Sequence, residues 1–168
     1  MLQLLRDLVD HKWYANAAML QAVRQSPAAA SDAELLDLLH HVLLANRFWL
    51  LSVLEQPFVF ANESRPAQSF DALVERYART QSEETAWLDA ATEADLDRTL
   101  KSSLIPGGEC TIAQAFVQVC MHSNGHRAQA AKLLRREGGT PPATEFIAWL
   151  GARPRAEWPD VRDPSVDA

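Results

Sequence analysis

The chain has 168 residues, enough for one domain to bury a sizeable core without disulfides or a structural metal, so any bound metal is expected to serve function rather than folding. Its 16 Lys and Arg against 22 Asp and Glu leave a net charge of -6. The one basic cluster, Lys132, Arg135 and Arg136, stands just before Gly138-Gly139 and reads as capping of a helix C-terminus, which argues against nucleic acid as a partner.

The N-terminal run Met1-Leu-Gln-Leu-Leu-Arg-Asp7 brings charge too early for a secretory segment, and no apolar run approaches the length of a membrane span. A cytoplasmic location with no membrane partner is expected. Cys110 and Cys120 would lie about 15 Å apart along one helix, too far to bridge, and are expected to be free thiols.

Residues 3 to 25 carry Leu5, Leu8, Ala15, Met19 and Val23 at helical spacing, with Ser26-Pro27 as a stop. Ser31-Asp-Ala-Glu34 reads as a capping box opening a second helix that runs to about Glu55. The stretch from Pro57 to Gln68 lacks periodicity, and Ser69 can cap a third helix that ends near Ala91. Between Thr92 and Cys110 the pattern is irregular; β-leaning residues from Thr99 to Ile105 and the Pro106-Gly107-Gly108 turn admit a short strand or hairpin. Thr111-Ile-Ala-Gln114 is a second capping box and starts a fourth helix that stops at Gly138-Gly139. Thr144 to Leu150 fits one or two further helical turns. The remainder, with Pro154, Pro159 and Pro164, reads as a loosely held tail over 153–168, after a single domain over 1–152. These elements predict an all-α four-helix bundle with long connections, at least one of them a crossover, and a short extra C-terminal helix.

His122 and His126, four apart, project from one face of the fourth helix within reach of a common ion. Apolar Ala115, Val119 and Ala130 flank them, so the pair is expected to face inward. The second helix adds His40-His41. His41 shares a stripe with Leu38, Leu44, Ala45 and Phe48, whereas His40 shares one with Leu36, Leu43 and Arg47; because Arg47 prefers solvent, His41 is the better inward candidate. Three neutral imidazoles suit zinc, nickel or iron(II) and leave coordination positions open, as catalytic sites do.

The blocks Leu39-His-His-Val-Leu-Leu-Ala-Asn-Arg-Phe-Trp49 and Val119-Cys-Met-His-Ser-Asn-Gly-His-Arg-Ala-Gln129 resemble the DinB/YfiT-like superfamily, four-helix bundles with a histidine in helix two and an HxxxHRxQ signature in helix four. The resemblance extends to about Leu150 and includes the aromatic patch Trp13-Tyr-Ala-Asn16. It implies metal ligands at His41, His122 and His126, and self-association as a homodimer. Many relatives carry His where this chain has Gln118 and Gly where it has Ala128; neither is a ligand position. Characterised relatives include thiol-dependent S-transferases and isomerases, so the resemblance implies a metal-dependent enzyme acting on a small molecule, with a low-molecular-weight thiol as partner. A hydrolase using metal-bound water, or a non-enzymatic helical interaction or stress-response module, are the alternatives. No Ser-His-Asp or His-paired cysteine arrangement competes, and the catalytic acid or base is unassigned.

Among the remaining polar residues, His11 lies near Asp7, Asp10 and Lys12 and is expected to be solvated. Trp13, Tyr14, Phe48 and Trp49 are expected in the core rather than around a pocket. Gln81 and Glu84 either accept a proton from a ligand histidine or are exposed. Arg127 either pairs with an acidic side chain of another helix, the favoured reading, or with a substrate anion.

Overall fold

The computed structural model describes residues 1–160; residues 161–168, with Pro164 of the expected tail, lie outside the described residues. Helix α1 (Leu2–Arg24) has no capping side chain of its own at Met1. Its first donors are met from far along the chain, where the Glu93 carboxylate accepts from the Met1 amino group and the Leu2 amide, both at 2.9 Å. Ser26-Pro27 then does more than stop the helix. Ser26 Oγ accepts from the Ala29 amide and Pro27 takes the first helical position of a short helix, α2 (Pro27–Ser31).

The expected Ser31–Glu34 capping box does not form. The Ser31 hydroxyl donates to the Pro27 and Ala28 carbonyls and so closes α2. Asp32, as good an N-cap as Ser, caps α3 (Ala33–Val53) by accepting from the Leu35 amide at 2.8 Å. Glu34 turns outward to Arg136 at 2.6 Å.

A single turn, α4 (Phe60–Glu63), interrupts the loop after α3. Helix α5 (Phe70–Ala90) starts on the Ser69 cap as predicted, and α6 (Glu93–Leu96) opens on a Thr92/Asp95 capping box. The β-leaning residues form a hairpin in which β1 (Thr99–Lys101) pairs antiparallel with β2 (Glu109–Thr111), Leu100 opposite Cys110. Its turn uses Gly107 and Gly108 at φ 85, a conformation side chains disfavour. Helix α7 (Ile112–Arg136) starts on the predicted Thr111/Gln114 box. It ends in a Schellman motif, with Gly138 left-handed, its amide on the Arg135 carbonyl and the Gly139 amide on Leu134. Helix α8 (Phe146–Ala152) follows.

The protein is thus an all-α bundle of four long helices. The principal contacts run α1 to α7, α7 to α3 and α3 to α5, with a smaller contact closing α5 onto α1. Helices α3 and α5 are therefore neighbours despite their long connection, while α5 and α7 are diagonal, and α6 with the hairpin carries the chain across. Both α1 and α3 present one flank to α7, which puts α7 at the centre of any site built between helices. None of the helices among the described residues is long and apolar enough to cross a membrane.

Residues 153–160 are held more firmly than a loose tail would be. Arg153 pairs with Asp7 at 2.6 Å, and Trp158 donates its indole N–H to Gln81 Oε1 at 2.8 Å while meeting Trp13 edge-on. The prolines do not prevent this, because the anchoring is by side chains rather than by a backbone ladder.

The apolar core, including Val9, Trp13, Leu20, Leu35, Leu43, Tyr77, Ile112 and Leu134, surrounds a polar centre to which all four long helices contribute. Lys12 of α1 and Glu84 of α5 are each 1% exposed and form an ion pair, Nζ lying 2.8 and 2.7 Å from the two carboxylate oxygens. The third ammonium proton goes to Asn46 Oδ1 of α3 at 2.8 Å, and the Trp13 indole donates to Glu84. Asn46 Nδ2 donates to the Val42 carbonyl and to Ser123 Oγ of α7. Every donor of the lysine is used, which is the condition under which a buried charge is tolerated. From the sequence, Glu84 is either a partner of a ligand histidine or exposed; the buried pair excludes both.

Candidate metal centre

The His40-His41 pair lies midway along α3, and the Asn46–Ser123 hydrogen bond clamps α3 against α7 beside the histidine face. That clamp fixes the register in which His41 meets His122 and His126. The three rings stand with centroids 5.1 Å (His41–His122), 4.7 Å (His41–His126) and 4.4 Å (His122–His126) apart. One potential ligand nitrogen from each lies within 4.8 Å of the others, close enough for small adjustments to bring them onto one ion.

The cluster sits at the edge of the bundle, not inside it. His41 is exposed and His122 and His126 are half-buried. The buried stripe of α7 is Ala115, Phe116, Val119, Ser123, Arg127, Ala130 and Leu134, and that of α3 is Leu35, Leu39, Val42, Leu43, Asn46 and Leu50. The expected inward orientation is therefore corrected. Polar Ser123, Arg127 and Asn46 take the core positions because they have partners there, and this rotates the histidines to the flank. His40 is the more buried of its pair, with Nε2 3.2 Å from the Ser64 carbonyl, and it points away from the cluster. His41 is the histidine that α3 contributes, though not for the reason periodicity suggested.

Two of the three donors, His122 and His41, are held in the neutral form. Burial, then the His126 and His41 rings, lowers the His122 pKa to about 4. His41 is also lowered, by burial first and then by His126 and His40. Neutral imidazoles with free lone pairs are what a borderline transition-metal ion requires. His126 Nδ1 stands 3.1 Å from Gln129 Oε1, so a proton donated there fixes the tautomer that leaves Nε2 open. His122 Nδ1 is buried and has no hydrogen-bond partner among the described residues, an orphaned polar atom that an ion would satisfy. The residues present fit a transition metal. Gln129 is the last residue of the HxxxHRxQ signature, and its spacing of three from His126 is the sequence signal for this contact.

The other candidates fall elsewhere. His11 is 8% exposed, not solvated: Nε2 lies 2.8 Å from the Thr144 carbonyl, and the ring packs edge-on against Phe146 and Trp149. Gln81 serves Trp158. Of the four aromatics, Trp13 is core, while Tyr14, Phe48 and Trp49 are half-buried, the last two packing against each other. Arg127 is 5% exposed and binds Asn16 Oδ1 at 2.9 Å and Asn124 Oδ1 at 3.3 Å, with no acidic partner among the described residues. Burial lowers its pKa to about 10, so it keeps its charge at neutral pH. Cys110 and Cys120 are free, and burial raises both thiols, Cys120 to about 11.

Residues 34–130 match the model of a protein family described as the DinB superfamily. The match includes His41, His122 and His126. No curated protein matches the chain.

Proposed function

The chain belongs to the DinB superfamily, and from that premise we propose that it is a metal-dependent enzyme in which His41, His122 and His126 hold one zinc, nickel or iron(II) ion and a low-molecular-weight thiol is transferred to an electrophilic small molecule. The observation that carries this reading is the convergence of three imidazoles from two helices, one of them with a buried ring nitrogen that has no hydrogen-bond partner among the described residues. Bound there, the cation would supply Lewis acidity that lowers the pKa of a thiol and stabilises its thiolate.

The chain's own residues provide orientation and access. Gln129 holds the His126 ring, and the Asn46–Ser123 clamp holds α3 to α7. The exposed His41 leaves the cluster open to a small molecule from solvent. The reacting thiol must come from that molecule, because both cysteines are held above the ordinary thiol range and neither belongs to the cluster. In the reaction the thiol loses its proton to solvent, its sulfur forms a bond to the electrophilic carbon, and the leaving group departs with the electron pair.

Elemental analysis of protein purified without a histidine tag is expected to find close to one metal ion per chain. His41→Ala, His122→Ala and His126→Ala should each weaken binding by more than the roughly 10- to 100-fold that an outer partner carries, and His40→Ala by no more than about 10-fold. A protein that takes up no metal on reconstitution, or a larger loss in His40→Ala than in His41→Ala, overturns the assignment. Turnover of ester or amide substrates in place of thiol consumption would keep the site and replace the reaction.

A further inference from the structure

The histidines occupy the α3 flank of α7. The α1 flank holds a cavity of about 590 Å³, roofed by the segment from Pro142 to Phe146, and none of the three histidines lines it. Its wall is largely apolar, with Leu8, Met19, Ala131 and Phe146 among the contacts, but Arg127 also lines it. A buried guanidinium normally has a carboxylate partner, since an isolated charge in the interior costs several kcal/mol. Here, among the described residues, it has only the neutral oxygens of Asn16 and Asn124.

The unsatisfied groups around it are all donors. Arg127 Nε has no partner among the described residues, and neither does the Nδ2 of Asn16 beside it. What is missing is an acceptor carrying negative charge. The other charged groups of the wall do not provide it: Lys12 is a cation already committed to Glu84, and Glu145 is exposed and forms no ion pair with Arg127. His11 is engaged with the Thr144 carbonyl.

We propose that this cavity binds the carboxylate of a small organic acid, with Arg127 as counter-ion and the apolar wall holding the hydrocarbon part. A planar guanidinium matches a carboxylate through two parallel hydrogen bonds, and a volume of this size suits a molecule of drug-like dimensions or smaller. The site is independent of the histidine cluster and would exist whether or not that cluster holds metal.

The test is a titration of the full-length protein, as purified, with hexanoate and with its neutral counterpart hexanamide, followed by NMR at Leu8, Met19, Ala131 and Phe146. Hexanoate is expected to give saturable shifts there and to bind at least about tenfold more tightly than hexanamide, the value of a charge-assisted hydrogen bond. Arg127→Met should abolish that preference while melting no lower than the wild type, because it removes an uncompensated buried charge. His122→Ala should bind hexanoate unchanged, which separates this site from carboxylate binding at the histidines. If Arg127→Met fails to fold, Ala131→Phe, which fills the cavity, must remove hexanoate binding with the helical spectrum intact. Equal affinity for acid and amide, preference retained in Arg127→Met or binding in Ala131→Phe, or loss of binding in His122→Ala would each overturn the proposal.

Discussion

Replacing Glu84 by Gln tests whether the polar centre of the bundle is a true buried ion pair. The change keeps the shape of the side chain but exchanges one acceptor oxygen for an NH2 group facing the Lys12 ammonium, in a place where both residues are 1% exposed. The lysine cannot turn to water, because its protons are directed to Glu84 and Asn46 and the Trp13 ring lies 4.2 Å from Nζ. Breaking such a pair from one side costs about 3 to 5 kcal/mol. For a chain of this length each kcal/mol is worth roughly 2 to 4 °C, so the melting temperature should fall by about 6 to 20 °C. Urea denaturation followed by circular dichroism measures the cost directly. The double variant Lys12→Met/Glu84→Gln removes both charges and should recover most of the loss, since the Trp13 indole can still donate to the amide oxygen. A Glu84→Gln protein within about 1 kcal/mol of the wild type, or single effects that simply add in the double variant, would refute the claim that the two charges are buried and coupled.

The corrected helix start gives a second expectation: Asp32→Ala should cost about 1 kcal/mol by denaturation and Ser31→Ala less than about half of that, and the opposite order would restore the Ser31 cap. The pH dependence of stability should contain a contribution from His11, whose pKa is lowered by burial and only partly restored by the Thr144 carbonyl. Its folded value lies below its unfolded one, so the contribution is complete above about pH 6.5 and is lost as pH falls from there through the depressed folded value. Melting curves of the wild type and His11→Gln between pH 7.5 and pH 5 should therefore converge on acidification, and parallel curves would contradict it. Chelation should leave the far-ultraviolet helical spectrum in place, because the cluster sits at the edge of a core that forms without it, and a random-coil spectrum would mean that the metal is structural.

Local chemistry made much of this protein legible in its sequence. The Thr111/Gln114 box, the Ser69 cap and the Gly138-Gly139 stop depend on residues within a few positions of one another, and all three stand in the structure. The i, i+4 spacing of His122 and His126 and the supply of a third histidine from the second helix were readable for the same reason, since helical geometry alone places them. Three-dimensional packing decided what periodicity could not. Lys12, Asn46, Glu84 and Ser123 are polar, and a hydropathy pattern assigns such residues to the surface; only when four helices come together do they satisfy one another, and only then is it favourable to bury them. Once Asn46, Ser123 and Arg127 occupy the inward stripes, the histidines are turned to the exposed edge, where a small molecule can reach them. The accessibility of the site is thus a consequence of hydrogen bonds between residues as far as 111 positions apart, and no window of sequence contains both partners.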